Sequence, residues 1–117
     1  MSLEECYAAF GGDFEGTLGR LGSEKMVERF ALKFLADRSY PTLIQAMEEE
    51  NYEDAFRAAH TLKGVGLNLG FTKLHEASDL LTEALRGGNK PGDDTLFQNV
   101  KAECEKVVAL LKEYQGA

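Results

Sequence analysis

The sequence predicts an all-α fold: an up-down-up-down antiparallel four-helix bundle with an additional N-terminal helical segment. Three features point there. Apolar residues recur at i, i+3 and i+4 along most of the chain, no stretch alternates in the manner of a strand, and short Gly, Pro or Asn punctuation separates the apolar stripes. At 117 residues and 44% apolar content, the chain has the length of one domain, residues 1–117. A chain of this size buries enough surface to stand without disulfides or metal.

The elements follow in order. Leu3–Phe10 is a short apolar stretch closed by Gly11-Gly12. Phe14–Leu21 is interrupted by Gly16 and Gly19 and reads as a half-helix or a loop. Ser23 offers an N-cap for a stretch in which Val27, Phe30, Ala31, Phe34 and Leu35 keep helical spacing. Pro41 breaks that ladder but suits the first turn of a new helix carrying Leu43, Ile44 and Met47; the alternative is one continuous helix kinked at the proline. Asn51 caps the next helix, which has Glu53 and Asp54 in its first turn and Gly70 as its stop. A further helix carries Leu74, Ala77, Leu81, Ala84 and Leu85, and Asn89-Lys90-Pro91-Gly92 is the clearest turn. From Asp93 the last helix carries Leu96, Val100, Cys104, Val107, Leu111 and Tyr114. The short connections between the segments starting at Pro41, Asn51, Phe71 and Asp93 place consecutive helices side by side and antiparallel. The earlier segments pack across one end or extend the Pro41 helix.

Charge and cysteine content exclude several function classes. Lys and Arg number 13 against 20 Asp and Glu, a net −7, which disfavours nucleic acid or anionic lipid as a partner. No apolar run approaches the roughly 18–20 residues of a membrane span, and Met1–Phe10 carries two Glu rather than a basic leader segment. Cys6 and Cys104 form neither a metal-type spacing nor a disulfide framework. The expectation is a cytoplasmic protein with free thiols.

The helix after Asn51 has two unlike faces at about 100° per residue. Ala55, Ala58, Ala59, Leu62, Gly66 and Leu69 form a small apolar face fit for close packing. Phe56, His60, Lys63, Gly64 and Leu67 form the other, where a solvated face would ordinarily be charged throughout. Each of these residues suits a phosphoryl-accepting site. A neutral imidazole is a nucleophile near pH 7. Lys63, three residues on, brings positive charge to offset a phosphate. Gly64 removes a side chain beside the ring and gives clearance for a partner's backbone, at a cost of about 1 kcal/mol in helix propensity. Phe56 and Leu67 offer apolar docking surface. The blander reading has these residues in a broad core and a tight helix crossing. His75, beside Glu76 and without such company, reads as a surface residue.

The stretch Ala58-Ala59-His60-Thr61-Leu62-Lys63-Gly64-Val65-Gly66-Leu67-Asn68-Leu69-Gly70 closely resembles the signature of histidine-containing phosphotransfer (HPt) domains, and it matches every fixed position of that family's pattern A-H-x-L-K-G-x-x-x-N-x-G. The resemblance extends over about residues 14–114. It implies a four-helix bundle on which His60 takes a phosphoryl group from the phospho-aspartate of a response-regulator receiver domain and passes it to another receiver. It also implies that Lys63 is the charge complement and that the chain needs no cofactor of its own, since Mg²⁺ sits on the receiver. Receiver domains, and a hybrid sensor histidine kinase, are the implied partners. One departure stands out: where many members place a Gln after the signature, residues 78–83 offer Ser78, Asp79, Thr82 and Glu83. No ATP-binding motif is present, so autophosphorylation is not expected.

Two other readings compete. A binding-only bundle would dock a receiver without transfer. A di-iron bundle needs Glu-x-x-His pairs, but the positions three before His60 and His75 hold Arg57 and Thr72.

Overall fold

The computed structural model describes residues 1–116. Seven α-helices follow one another: α1 (Leu3–Ala9), α2 (Phe14–Leu21), α3 (Glu24–Lys33), α4 (Ser39–Glu48), α5 (Tyr52–Leu69), α6 (Thr72–Leu85) and α7 (Thr95–Gly116), with a 3₁₀ turn at Phe34–Ala36. No strand is present among the described residues. The helix starts are chemically marked. Ser2 and Glu5 form a capping box, Asp13 accepts from the Gly16 N–H, Ser23 from Met26 and Asn51 from Asp54.

The α3 and α4 segments are two helices, not one kinked at Pro41. Asp37 is extended at φ −68°, ψ 138°, and its carboxylate accepts from both the N–H and the hydroxyl of Ser39. This side chain stops the 3₁₀ turn and starts α4, leaving Pro41 in the first turn where its missing N–H costs nothing. The Phe14–Leu21 segment, open between half-helix and loop, is fully helical. The last helix begins at Thr95, two residues after Asp93, whose carboxylate accepts from the Thr95 N–H.

Helix α5 lies between α4 and α6, and α6 packs in turn on α7. The flank of α7 is closed by α1, α3 and the 3₁₀ turn. One contiguous core results, including Val27, Leu43, Leu62, Leu74, Leu81, Leu85, Val100, Cys104 and Leu111. Cys104 is sealed in it, and burial pushes its thiol up to about 12.

The N-terminal helices cross the end of the bundle where α5 stops. Tyr7, Phe10, Phe14, Phe34 and Phe71 form an aromatic cluster there, with successive ring centroids 5.0–5.7 Å apart. The last carbonyls of α5, which have no partner inside their own helix, are taken up by this layer. Tyr7 Oη donates to Leu69 O at 2.7 Å, Arg20 Nη1 to Asn68 O at 3.0 Å, and the Asp13 N–H to Gly70 O at 2.8 Å. Gly70 turns the chain at φ +73°, and the Phe71 N–H returns to Gly66 O at 2.9 Å.

A Cβ at Gly70 would lie 1.9 Å from Thr17 Oγ1 and 2.9 Å from Asp13 O, besides requiring a left-handed backbone. Gly70→Ala is therefore expected to destabilise the fold by about 2–4 kcal/mol. Urea unfolding checks this; a loss under about 0.5 kcal/mol would show that the contact between α2 and the end of α5 is not formed.

Candidate functional site

Helix α5 keeps both faces read from its sequence. Ala55, Ala58, Ala59, Leu62 and Gly66 are buried, and Leu69 is half-buried. Opposite them His60 is exposed, Leu67 is 57% exposed, and Phe56, Lys63 and Gly64 are half-buried. Placing His60 towards water thus follows from burying the alanine face, since the two lie on opposite sides of one 18-residue helix.

The two glycines of the signature do different things. A Cβ at Gly66 would sit 3.2–3.4 Å from the His75 backbone and its Cβ, so α6 approaches α5 closely at Gly66. A Cβ at Gly64 would meet nothing within 4 Å. Packing inside the chain accounts for Gly66 and leaves Gly64 without an internal reason, although a helical glycine costs about 1 kcal/mol against alanine.

The close approach at Gly66 brings one face of α6 beside the His60 patch. His75 Nδ1 lies 3.0 Å from Lys63 O, and Lys63 Nζ lies 2.9 Å from Asp79 Oδ1. One and two turns further on, Glu83 accepts two hydrogen bonds from Arg86, at 3.0 and 2.8 Å. The Arg86 guanidinium stands 5.2 Å from the centre of the Phe56 ring, a cation–π contact. Phe56 in turn lies nearly parallel to the His60 imidazole, with 6.1 Å between centroids and 17° between planes. Arg86, Phe56 and His60 thus form a row across the two helices. On the other flank Arg57 pairs with Asp54. Among the described residues the His60 ring makes no hydrogen bond.

These pairings shift carboxyl groups. The hydrogen bond from Lys63 is the main reason Asp79 is held below the usual carboxylate range, and the Arg86 hydrogen bond does the same for Glu83. Glu83 is exposed and the half-buried Asp79 still reaches water with its side chain, so the pairs set geometry more than stability.

His75 departs from the sequence expectation. It is a half-buried interhelical contact, because Gly66 draws its backbone onto α5 and its ring reaches the Lys63 carbonyl. The 78–83 region also resolves by burial: Ser78 and Thr82 face inward, with Thr82 Oγ1 donating to Ser78 O, while Asp79 and Glu83 face outward. Asp79 reaches the patch through Lys63. Arg86, at the C-cap of α6, is the residue of this patch that the sequence does not single out. Its one signal was the i, i+3 spacing to Glu83.

No three His, Cys, Asp or Glu side chains gather at metal-binding distance among the described residues. No helix among them is long and apolar enough to cross a membrane.

A family model of the Hpt domain matches residues 35–110, from the 3₁₀ turn through most of α7. The chain belongs to the Hpt domain family. Domains of this family carry out histidine phosphotransfer in phosphorelay signalling with receiver domains. The signature helix α5 of this Hpt domain lies inside the match, whereas α1, α2 and α3, which seal the end of α5, precede it. Comparisons with curated proteins and with solved structures find no match.

A depressed carboxyl pKa stabilises the folded state above the ordinary Asp value, and this contribution is lost as pH falls through the depressed one. The Asp79 carboxyl is expected to titrate below about 3.9 in ¹³C NMR and to move back up in Lys63→Met. An ordinary Asp79 midpoint with Lys63 intact would mean that the pair does not form.

Proposed function

We propose that this Hpt domain is a phosphoryl carrier in which His60 accepts a phosphoryl group from the phospho-aspartate of one receiver domain and donates it to the aspartate of another. The observation that carries this reading is the solvent-facing His60 ring beside a glycine whose outward side is empty, within a sequence that fits the family signature throughout.

The chemistry needs little from the chain beyond position and charge. The lone pair of one ring nitrogen of neutral His60 forms the N–P bond. The P–O bond to the receiver carboxyl breaks, and the carboxylate leaves with the electron pair. The proton on the other ring nitrogen stays there until water takes it. Return transfer reverses these steps on a second receiver. In the middle of the transfer, phosphorus lies between the two proteins, so the receiver backbone must come close to α5. Gly64 supplies that clearance, and Lys63 supplies positive charge on the same face. Phe56 and the exposed Leu67 give the apolar contact that holds the receiver, while the net −7 of the chain disfavours acidic partners. Mg²⁺ and the remaining charge stabilisation belong to the receiver, and a hybrid sensor kinase is a fitting source of the phosphoryl group.

His60→Gln should abolish acid-labile labelling by a phosphorylated receiver while leaving receiver binding within about twofold. Unlabelled wild-type protein that still binds receivers would favour a docking adaptor instead. Gly64→Ala offers a sharper contrast. It should raise stability by about 1 kcal/mol in urea unfolding, because the site is helical and open. Transfer should nevertheless slow at least tenfold, and Gly64→Leu should slow it further. Equal transfer rates in wild type and Gly64→Leu would remove the clearance role.

A further inference from the structure

The ammonium assigned to a phosphorylated His60 already has a partner. Lys63 Nζ sits 2.9 Å from Asp79 Oδ1, with the side chains 29% and 43% exposed. A pair this exposed contributes little stability, so its placement calls for another reason. The placement is specific. Contact between Gly66 and the His75 backbone fixes α6 against α5, and His75 Nδ1 on Lys63 O holds the same register. One turn beyond His75, Asp79 then meets Lys63, while neighbouring Ser78 and Thr82 point into the core. The other charged groups around the patch are paired among themselves: Arg57 with Asp54 on α5, and Arg86 with Glu83 on α6.

We propose that Asp79 is a positioning residue acting through Lys63: it holds the ammonium while His60 is bare and gives it up when His60 carries a phosphoryl group. The inference rests on His60 being the phosphoryl-bearing residue. Before transfer, Lys63 and Asp79 cancel each other beside a neutral ring. A phosphoryl group brings a charge of about −1.5 to −2 at pH 7 and three strong acceptor oxygens. It therefore outcompetes a single carboxylate for the ammonium. Lys63 changes partner, and Asp79 is left as an uncompensated negative charge on the adjoining helix. The carboxylate keeps competing for the ammonium, and so keeps the phosphoryl group from settling too firmly on His60. Asp79 thus sets how readily the group moves on, without touching the reacting atoms.

Phosphoramidate tests this without a matched receiver. A His60 ring nitrogen forms the N–P bond, the P–N bond of the N-protonated donor breaks, and ammonia leaves. In the phosphorylated protein, ³¹P NMR follows the second ionisation of the phosphoryl group. Asp79→Asn removes the competing charge and should raise its acid dissociation constant about two- to fivefold. Asp79→Glu should stay near wild type. In a Lys63→Met background the same Asp79→Asn change should give less than half that effect, which a merely structural role would not reproduce. No shift on Asp79→Asn, or the same shift with and without Lys63, overturns the proposal while leaving His60 as acceptor. Failure of the wild type to form phosphohistidine at His60 overturns the acceptor assignment and the proposal with it.

Discussion

The site depends on how closely α6 lies against α5. The distance is set at Gly66, where even a methyl group would press on the backbone of His75 at 3.2–3.3 Å. With the helices held there, Asp79 reaches Lys63, and Arg86 reaches the Phe56 ring that lies alongside His60. A methyl group at Gly66 would push the helices apart by a few tenths of an ångström and loosen both interhelical contacts together, because their partners Asp79 and Arg86 lie two turns apart along one side of α6 and its C-cap. The functional face is therefore a property of the helix pair.

The second constraint acts at the end of α5. A helix that presents a reactive ring to a partner needs a fixed axis, and its final carbonyls are a natural place to fray. Here Tyr7, Asp13 and Arg20 satisfy them, and an aromatic cluster covers the turn at Gly70. These three residues precede the family match, which begins at residue 35. The N-terminal helices thus add a local support to a bundle whose signature lies elsewhere.

Much of this was legible in the sequence. Ser23 and Asn51 cap helices as their side-chain chemistry indicates, Gly70 stops α5, and periodicity separates the buried alanine face from the His60 face. What periodicity does not carry is register between helices. The Lys63–Asp79 pair and the Arg86–Phe56 contact depend on the separation and rotation of two helices, which no one-dimensional pattern records. His75 misled for the same reason: its own neighbours are polar, and only the glycine opposite it in space draws it inward. The break between α3 and α4 is legible at Pro41, but its cause is not: the proline marks a helix start, whereas the stop is made upstream by the Asp37 carboxylate. Phe14–Leu21 stayed open because its two glycines weaken local propensity, and the contacts that hold it helical come from residues about fifty positions away.

The central claim is that one solvent-facing imidazole carries the phosphoryl group. Its most direct measurement is peptide mapping by mass spectrometry at neutral pH after incubation with a phosphorylated receiver domain. The account requires a single added phosphoryl group on the peptide containing His60, lost on brief acid treatment. A phosphoryl group found instead on His75 or on a hydroxyl side chain, with His60 unmodified, would contradict it.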